Sequence, residues 1–309
     1  MRAYRRPLLL AVFGTFVCIS GWAYTRLFLL PPKGKGPAGP AVSTVAFENV
    51  WSTQRIQILA IGDSITAGLG ADSRSHSYVN RLLQNPSDEF EDMQGTCLKR
   101  VLPNIELTNI AVSGSNSLQH ETTIADRLSE FDESTFGLVL LTTGGNDLIH
   151  WYGRQPPQEG AMYGASLSEA QPWIEAFDLR LSRMLKSITL LFPGGCEIYL
   201  ADIYDPTDGV GDAPSVFLPE WQDGLAIHAE YNAVIQKNAE LFDNVFHVPL
   251  YKNFLGHGSH CSQFWRPTYV SEDPTNWFHT NIEDPNDRGY DAIRRVFMNS
   301  ILANSSLVN

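Results

Sequence analysis

The sequence predicts an α/β fold organised on a parallel β-sheet. Three observations predict it. Short apolar runs recur along the chain, each followed by turn residues. The runs are continuous rather than alternating, which suits strands covered on both faces. Stretches with helical spacing lie between them, and strands alternating with helices imply right-handed crossovers within one sheet.

In chain order the strand candidates are 56–61 (IQILAI), 105–112 (IELTNIAV), 138–143 (LVLLTT), 197–203 (EIYLADI) and 245–250 (VFHVPL). The helical candidates are 168–192, 226–241 and 287–302. In the first of these, Trp173, Ile174, Phe177, Leu181, Met184, Leu185 and Ile188 fall on one face at helical spacing. Three long connections, 147–166, 204–222 and 251 to about 284, break the rhythm. Loops of that length in a compact domain are as a rule functional. Ligands of open parallel sheets sit beyond the C-terminal strand ends, the edge from which all three loops leave.

The N-terminus reads differently. Residues 1–7 are basic (Arg2, Arg5, Arg6) and 8–23 are almost unbroken apolar sequence, the first two regions of a secretory signal. Gly21 and Ala23 offer small residues for cleavage. Apolar character resumes at 27–30, however, and 8–30 is long enough to span a bilayer. Residues 1–30 are therefore a cleaved signal peptide or an N-terminal membrane anchor. Both place the bulk of the chain outside the cytoplasm, as a periplasmic, membrane-anchored or secreted domain. Residues 31–50, opening on PPKGKGPAGPAVS, are a Pro/Gly linker expected not to pack. The domain proper is expected over 51–305, and no internal repeat is visible.

Composition sets limits. Of 309 residues 43% are hydrophobic and 18% charged, which supports a large core and excludes wholesale disorder. The net charge is −12, and the first thirty residues hold four Arg and no acid. The remainder carries 18 basic and 34 acidic residues, or −16. That surface excludes nucleic acid or an anionic membrane face as the main partner, leaving membrane contact to the N-terminal segment alone. Cys18 lies in the apolar leader, so Cys97, Cys196 and Cys261 remain, enough for one disulfide of unreadable pairing. No Cys/His cluster has zinc spacing, and neither a metal nor a cofactor is expected.

The chemistry-bearing residues cluster after the strands. The first run leads into Gly62-Asp63-Ser64-Ile65-Thr66, where a Ser at a strand tip can expose its hydroxyl as a nucleophile or simply cap a helix. The second leads to Ser113-Gly114-Ser115-Asn116, where Gly lets backbone N–H groups approach a ligand or serves as an ordinary turn residue. The third ends in Thr143-Gly144-Gly145-Asn146-Asp147, whose amide can donate to a developing oxyanion or sit in a tight turn. Each signal is weak alone. Their order at successive strand ends is what carries weight.

With these blocks the chain resembles the SGNH (GDSL-type) hydrolase superfamily. Gly62-Asp63-Ser64-Ile65-Thr66 matches its first block, Gly114 its second, Gly144-x-Asn146-Asp147 its third and Asp284-Pro285-Asn286-Asp287-Arg288-Gly289-Tyr290 its last. The resemblance implies a flavodoxin-like three-layer α/β/α fold around a central parallel five-stranded sheet. It implies a serine esterase working through an acyl-enzyme on Ser64. The Ser64 N–H, the Gly114 N–H and the Asn146 side chain would form the oxyanion hole. Carbohydrate O-acyl, lipid and small-molecule esters all remain open as substrates. An acyltransferase or a non-catalytic binding module on the same fold are the rival readings.

The last block departs from the family pattern. Asp284 occupies the slot of the family's His, and Asn281 stands where its acid would be. A Ser hydroxyl needs a base near neutral pKa. The third long loop offers His257, His260 and His279, of which His279 and His257 are the favoured candidates, with Glu283 or Asp284 orienting the ring or acting as base. Asp205, Asp208 and Asp212 surround glycines in a way that resembles a Ca²⁺ loop but lacks its spacing, so an acidic turn is expected. Trp151, Tyr152, Tyr163, Trp173, Trp221, Trp265 and Trp277 gather around the long loops, as pocket floor or as core of the insertions.

Overall fold

The computed structural model describes residues 5–280 and 283–308. Its strands are β1 (Arg55–Ile61), β2 (Ile105–Asn109), β3 (Thr135–Leu141), β4 (Cys196–Ala201) and β5 (Val245–Val248). Its helices are α1 (Arg5–Tyr24), α2 (Ser64–Ala67), α3 (Tyr78–Leu83), α4 (Leu98–Val101), α5 (Ser117–Arg127), α6 (Gly145–Ile149), α7 (Leu167–Leu190), α8 (Gly224–Leu241), α9 (Leu250–Phe254) and α10 (Asp287–Asn304). The five strands form one all-parallel sheet in the order β2-β1-β3-β4-β5. Every apolar run singled out in the sequence is one of them.

Strand alternation sends side chains to two cores. Ile56, Ile58 and Ala60 of β1 and Leu138 and Leu140 of β3 join Tyr78, Leu82, Ile293 and Phe297 from α3 and α10. Leu59, Ile61, Val139 and Leu141 point the other way, to Ile124 of α5, Phe177, Leu181 and Leu185 of α7 and Ile235 of α8. The result is three layers, α/β/α. A Ser166 capping box opens α7, and Pro172 is accommodated in its second turn.

Two expectations change. The 31–42 segment packs instead of hanging free. Asn276 N–H donates to the Pro32 carbonyl at 2.8 Å, Ala38 N–H to Asp291 at 3.0 Å and the Asn299 amide to the Ala41 carbonyl at 3.0 Å. Gly39 lies so close to α10 that a Cβ there would stand 2.7 Å from the Ala292 Cα. Small residues let the chain approach the helix, and two side chains of α10 and a backbone N–H of the loop before it supply partners that a Pro-rich chain cannot supply to itself. The four cysteines, in turn, are all free thiols, and Cys97, Cys196 and Cys261 are buried.

Candidate active site

Ser64 is placed by a locked strand end. Gly62 follows β1 so tightly against β3 that a Cβ would lie 2.1 Å from Thr142 Oγ1. Thr66 Oγ1 hydrogen-bonds both Thr142 Oγ1 and the Tyr78 hydroxyl at 2.8 Å. Asp63 caps the single-turn helix α2, its carboxylate accepting from the Ile65 N–H at 3.1 Å and from Thr142 Oγ1 at 3.3 Å. Ser64 is the first residue of that turn and half-buried. Tyr290, from the last sequence block, donates to the Leu69 carbonyl at 2.7 Å and so braces the same turn from α10.

Ser64 opens onto a cavity of about 1150 Å³, its open mouth included. Asn146 and the Asp63, Glu283 and Asp284 carboxyls line it near Ser64, and its walls are Leu148, Ile203, Val216, Trp221, Leu225 and similar apolar side chains. Leu148 comes from the 147–166 connection, Val216 and Trp221 from 204–222, and Ile203 and Leu225 from just past the end of β4 and the start of α8. Among the described residues no Lys or Arg lines it. Asp63 is buried, and desolvation pushes its carboxyl up to about 6, with the neighbouring Asp284 adding to the rise. Tyr152 donates to Glu283, and the Tyr204 hydroxyl to the Glu283 carbonyl. Glu283 is likewise held above its ordinary value, chiefly by burial. Tyr152 and its neighbour Trp151 are non-glycine residues in left-handed backbone (φ +50° and +65°), costing about 1 kcal/mol or more each.

Asn146 joins two blocks. Its amide donates to the Ser115 carbonyl at 2.9 Å, tying the turn that carries Gly114 to the start of α6. An amide has two hydrogens, so one is left for a ligand. Gly114 is exposed at that turn in left-handed backbone (φ +82°), beside the cavity and not among the residues lining it. Asp147 turns inward instead. It accepts from the Ser117 N–H at 2.8 Å and from its hydroxyl, and faces Arg180 at 3.9 Å.

The loop histidines are employed elsewhere. His257 is buried flat on Trp277, ring centroids 3.5 Å apart, with Nδ1 turned to the Thr275 carbonyl. Burial pushes its pKa down to about 4, although Asp273 pulls the other way. His260 Nε2 bonds Asp212 at 2.8 Å. The exposed His279 pairs its backbone N–H with the Asp284 carbonyl at 2.7 Å. Among the described residues none of the three lines the cavity; Asn281 lies outside them. What the last block does bring to the cavity that Ser64 lines is Asp284. Asn286 caps α10 by accepting from Gly289 N–H at 3.1 Å and holds the Asn276 carbonyl at 2.9 Å, and a Cβ on Gly289 would strike the Trp277 carbonyl at 2.3 Å. That tight corner points residue 284 into the cavity.

The acidic turn is a clamp made for the protein's own donors. Asp208 accepts from the N–H groups of Gly256, Gly258 and His260 at 2.7–2.9 Å. Asp205 accepts from Thr207 and Gly209. Sequence reasoning missed two histidines. His120 bridges Ser115 Oγ (2.7 Å) and Thr143 Oγ1 (2.9 Å) behind the site, its pKa pushed down to about 4 by burial. His228 lines the cavity but is turned to the Ile203 carbonyl at 2.9 Å. The only sequence signal either carried was position, on a helix following a strand.

Comparison with known proteins bears on this arrangement. A family model described as "GDSL-like Lipase/Acylhydrolase family" matches residues 60–292. A mutant of Axe2, an acetyl-xylooligosaccharide esterase from Geobacillus stearothermophilus, is similar in structure at a TM-score of 0.50 and 16% identity, covering 84% of this chain and 99% of its own. LAE5, an α/β hydrolase from the metagenome of Lake Arreo, Spain, gives 0.50 and 15% with the same coverages. Both likenesses are of fold. No curated protein sequence matches the chain.

Proposed function

The chain belongs to the GDSL-like lipase/acylhydrolase family and is an ester-hydrolysing enzyme, and from that premise we propose that it hydrolyses neutral carboxylic esters through an acyl-enzyme on Ser64, with Asp284 as base. One observation carries the reading: Ser64, Asn146 and Asp284 line one cavity, whereas the loop histidines do not. Ser64 Oγ attacks the carbonyl carbon as its proton passes to the Asp284 carboxylate. The oxyanion takes hydrogen bonds from the free Asn146 hydrogen and from the Ser64 and Gly114 N–H groups. Collapse expels the alcohol, which leaves with the proton held by Asp284, and water releases the acid by the reverse sequence. The carboxylates lining the cavity disfavour anionic substrates, and the apolar walls suit an acyl or alcohol group of some bulk. The apolar N-terminal helix supports an extracytoplasmic, membrane-anchored placement, with 51–305 as the catalytic domain.

The test is labelling and turnover. An organophosphonate should modify wild type and not Ser64→Ala. Turnover of p-nitrophenyl acetate by Ser64→Ala should fall by up to about a million-fold. A folded Ser64→Ala protein with unchanged turnover would remove Ser64 from the mechanism.

A further inference from the structure

The apolar helix and the domain meet through contacts that the proposed chemistry does not use. The 18-residue span Val12–Leu29 has no residue buried in protein. At the helical rise it is about 27 Å long, close to the hydrocarbon thickness of a bilayer. Its end does not run into a free tether. Ser262 Oγ donates to the Arg26 carbonyl at 3.0 Å and the Gln263 amide to the Leu27 carbonyl at 2.9 Å. The Trp265 ring lies 6.1 Å from the Phe28 ring. Three residues past Leu29, Pro32 is already bonded to Asn276. The loop that grips the helix end nevertheless leaves Phe264 69% and Trp265 49% exposed, beside Phe28 at 45% and Leu30 at 64%. Lys33 and Lys35, both exposed, follow directly.

A cluster of exposed aromatic and aliphatic side chains at the end of a bilayer-length helix, followed by lysines, has the composition of a membrane–water boundary. We propose that the 262–265 loop is seated in the interfacial layer of the bilayer that the Val12–Leu29 helix spans, Phe264 and Trp265 forming a second membrane contact that belongs to the domain itself. The lipid surface is the occupant because the helix end fixes where that surface lies, and the loop is bonded to that end. The domain is then held against the membrane in a set orientation. The same loop region is tied by Asp208 and by the His260–Asp212 pair to the 204–222 connection that walls the cavity. The inference rests on the anchor part of the reading above and not on the Ser64 chemistry.

Depth-dependent quenching tests it. The full chain and its Trp265→Phe variant are reconstituted in phosphatidylcholine vesicles brominated either near the headgroup end of the acyl chains or near their termini. Trp22 lies seven residues inside Leu29, about 10 Å deeper along the helix, and serves as the internal reference. Wild type should show a component quenched best by the shallow bromines that Trp265→Phe lacks, while the deeper component remains in both. Hydrolysis of p-nitrophenyl acetate should be equal in the two proteins, reporting an intact fold. Deep quenching alone, identical in both proteins, would overturn the loop contact and leave the anchor standing. Quenching of neither protein would overturn loop contact and anchor together.

Discussion

At the residue scale the instructive group is the base. A histidine with an ordinary pKa would make activity rise between about pH 6 and 7.5. His257 cannot report that way, because burial holds it at about 4, in the range of a carboxylate. Substitution therefore discriminates where a pH profile does not. Asp284→Asn should lower turnover by several orders of magnitude, while His257→Ala, His260→Ala and His279→Ala each retain most of it. A collapse in a folded histidine variant, with Asp284→Asn active, would return the role to that histidine. Asp63 carries a second prediction. A carboxyl held above its ordinary value favours the protonated form in the folded chain. Its stabilising share is thus present below about pH 4 and is lost as pH rises through about 6. Asp63→Asn keeps a capping oxygen but cannot ionise. It should gain stability on wild type between pH 4 and 7, by up to roughly 3 kcal/mol in thermal melts. A pH-independent difference would show that Asp63 is not desolvated as the structure has it.

At the scale of elements, short helices are held by buried polar pairs rather than by their own length. α6 has five residues and α2 four, too few to persist alone. Asp147 joins α6 to the N-terminus of α5 and to Arg180 of α7, which also bonds Ser117 Oγ at 2.9 Å and Glu159 at 2.6 Å. Removing Asp147 leaves the buried Ser117 N–H and hydroxyl without their acceptor and Arg180 with Glu159 as its one carboxylate partner among the described residues. Asp147→Ala should cost about 3–5 kcal/mol in denaturant unfolding, well above a surface substitution. A shift below 1 kcal/mol would mean that α5 and α6 are positioned by other contacts. α10 is built on the same logic. Arg294 and Arg295 meet Asp291, Glu89 and Asp92 on its buried face, where an amphipathic pattern alone would not place charge.

For the whole molecule, the decisive feature is continuity from the apolar helix into the domain. Residues 26–42 run from the end of the span onto α10 without a slack interval. These contacts lie C-terminal to Gly21 and Ala23, so a cleaved chain would keep them, and fractionation separates anchor from leader. As an anchored protein the full chain is expected to remain in the membrane pellet after carbonate washing. A reporter active only outside the cytoplasm should be active when fused to residues 1–45. Release of the mature domain by carbonate would favour cleavage near Gly21 or Ala23.

The five strands, the two large crossover helices α7 and α8 and the last helix were legible in the sequence, because burial on both faces of a parallel sheet writes itself as continuous apolar runs. The positions of Ser64 and Asn146 at strand ends follow from the same local rule. α5 was not legible, since its buried side chains are Ser117, His120 and Ile124, and two of the three are polar. The Pro/Gly composition of 31–42 suggested a free linker, and only contact with α10 showed it packed, because small residues that favour mobility also permit close approach. The fate of the histidines was likewise undetermined by their order in the chain. His257, His260 and His279 lie in one loop, yet Trp277 stacking, the Asp212 bond and solvent claim one each. Meanwhile the tight corner at Gly289 turns Asp284 to the cavity. Sequence spacing determines which residues share an element. Which side chain reaches across a cavity depends on the path of loops whose partners are distant in sequence, and that is settled only when the chain is folded.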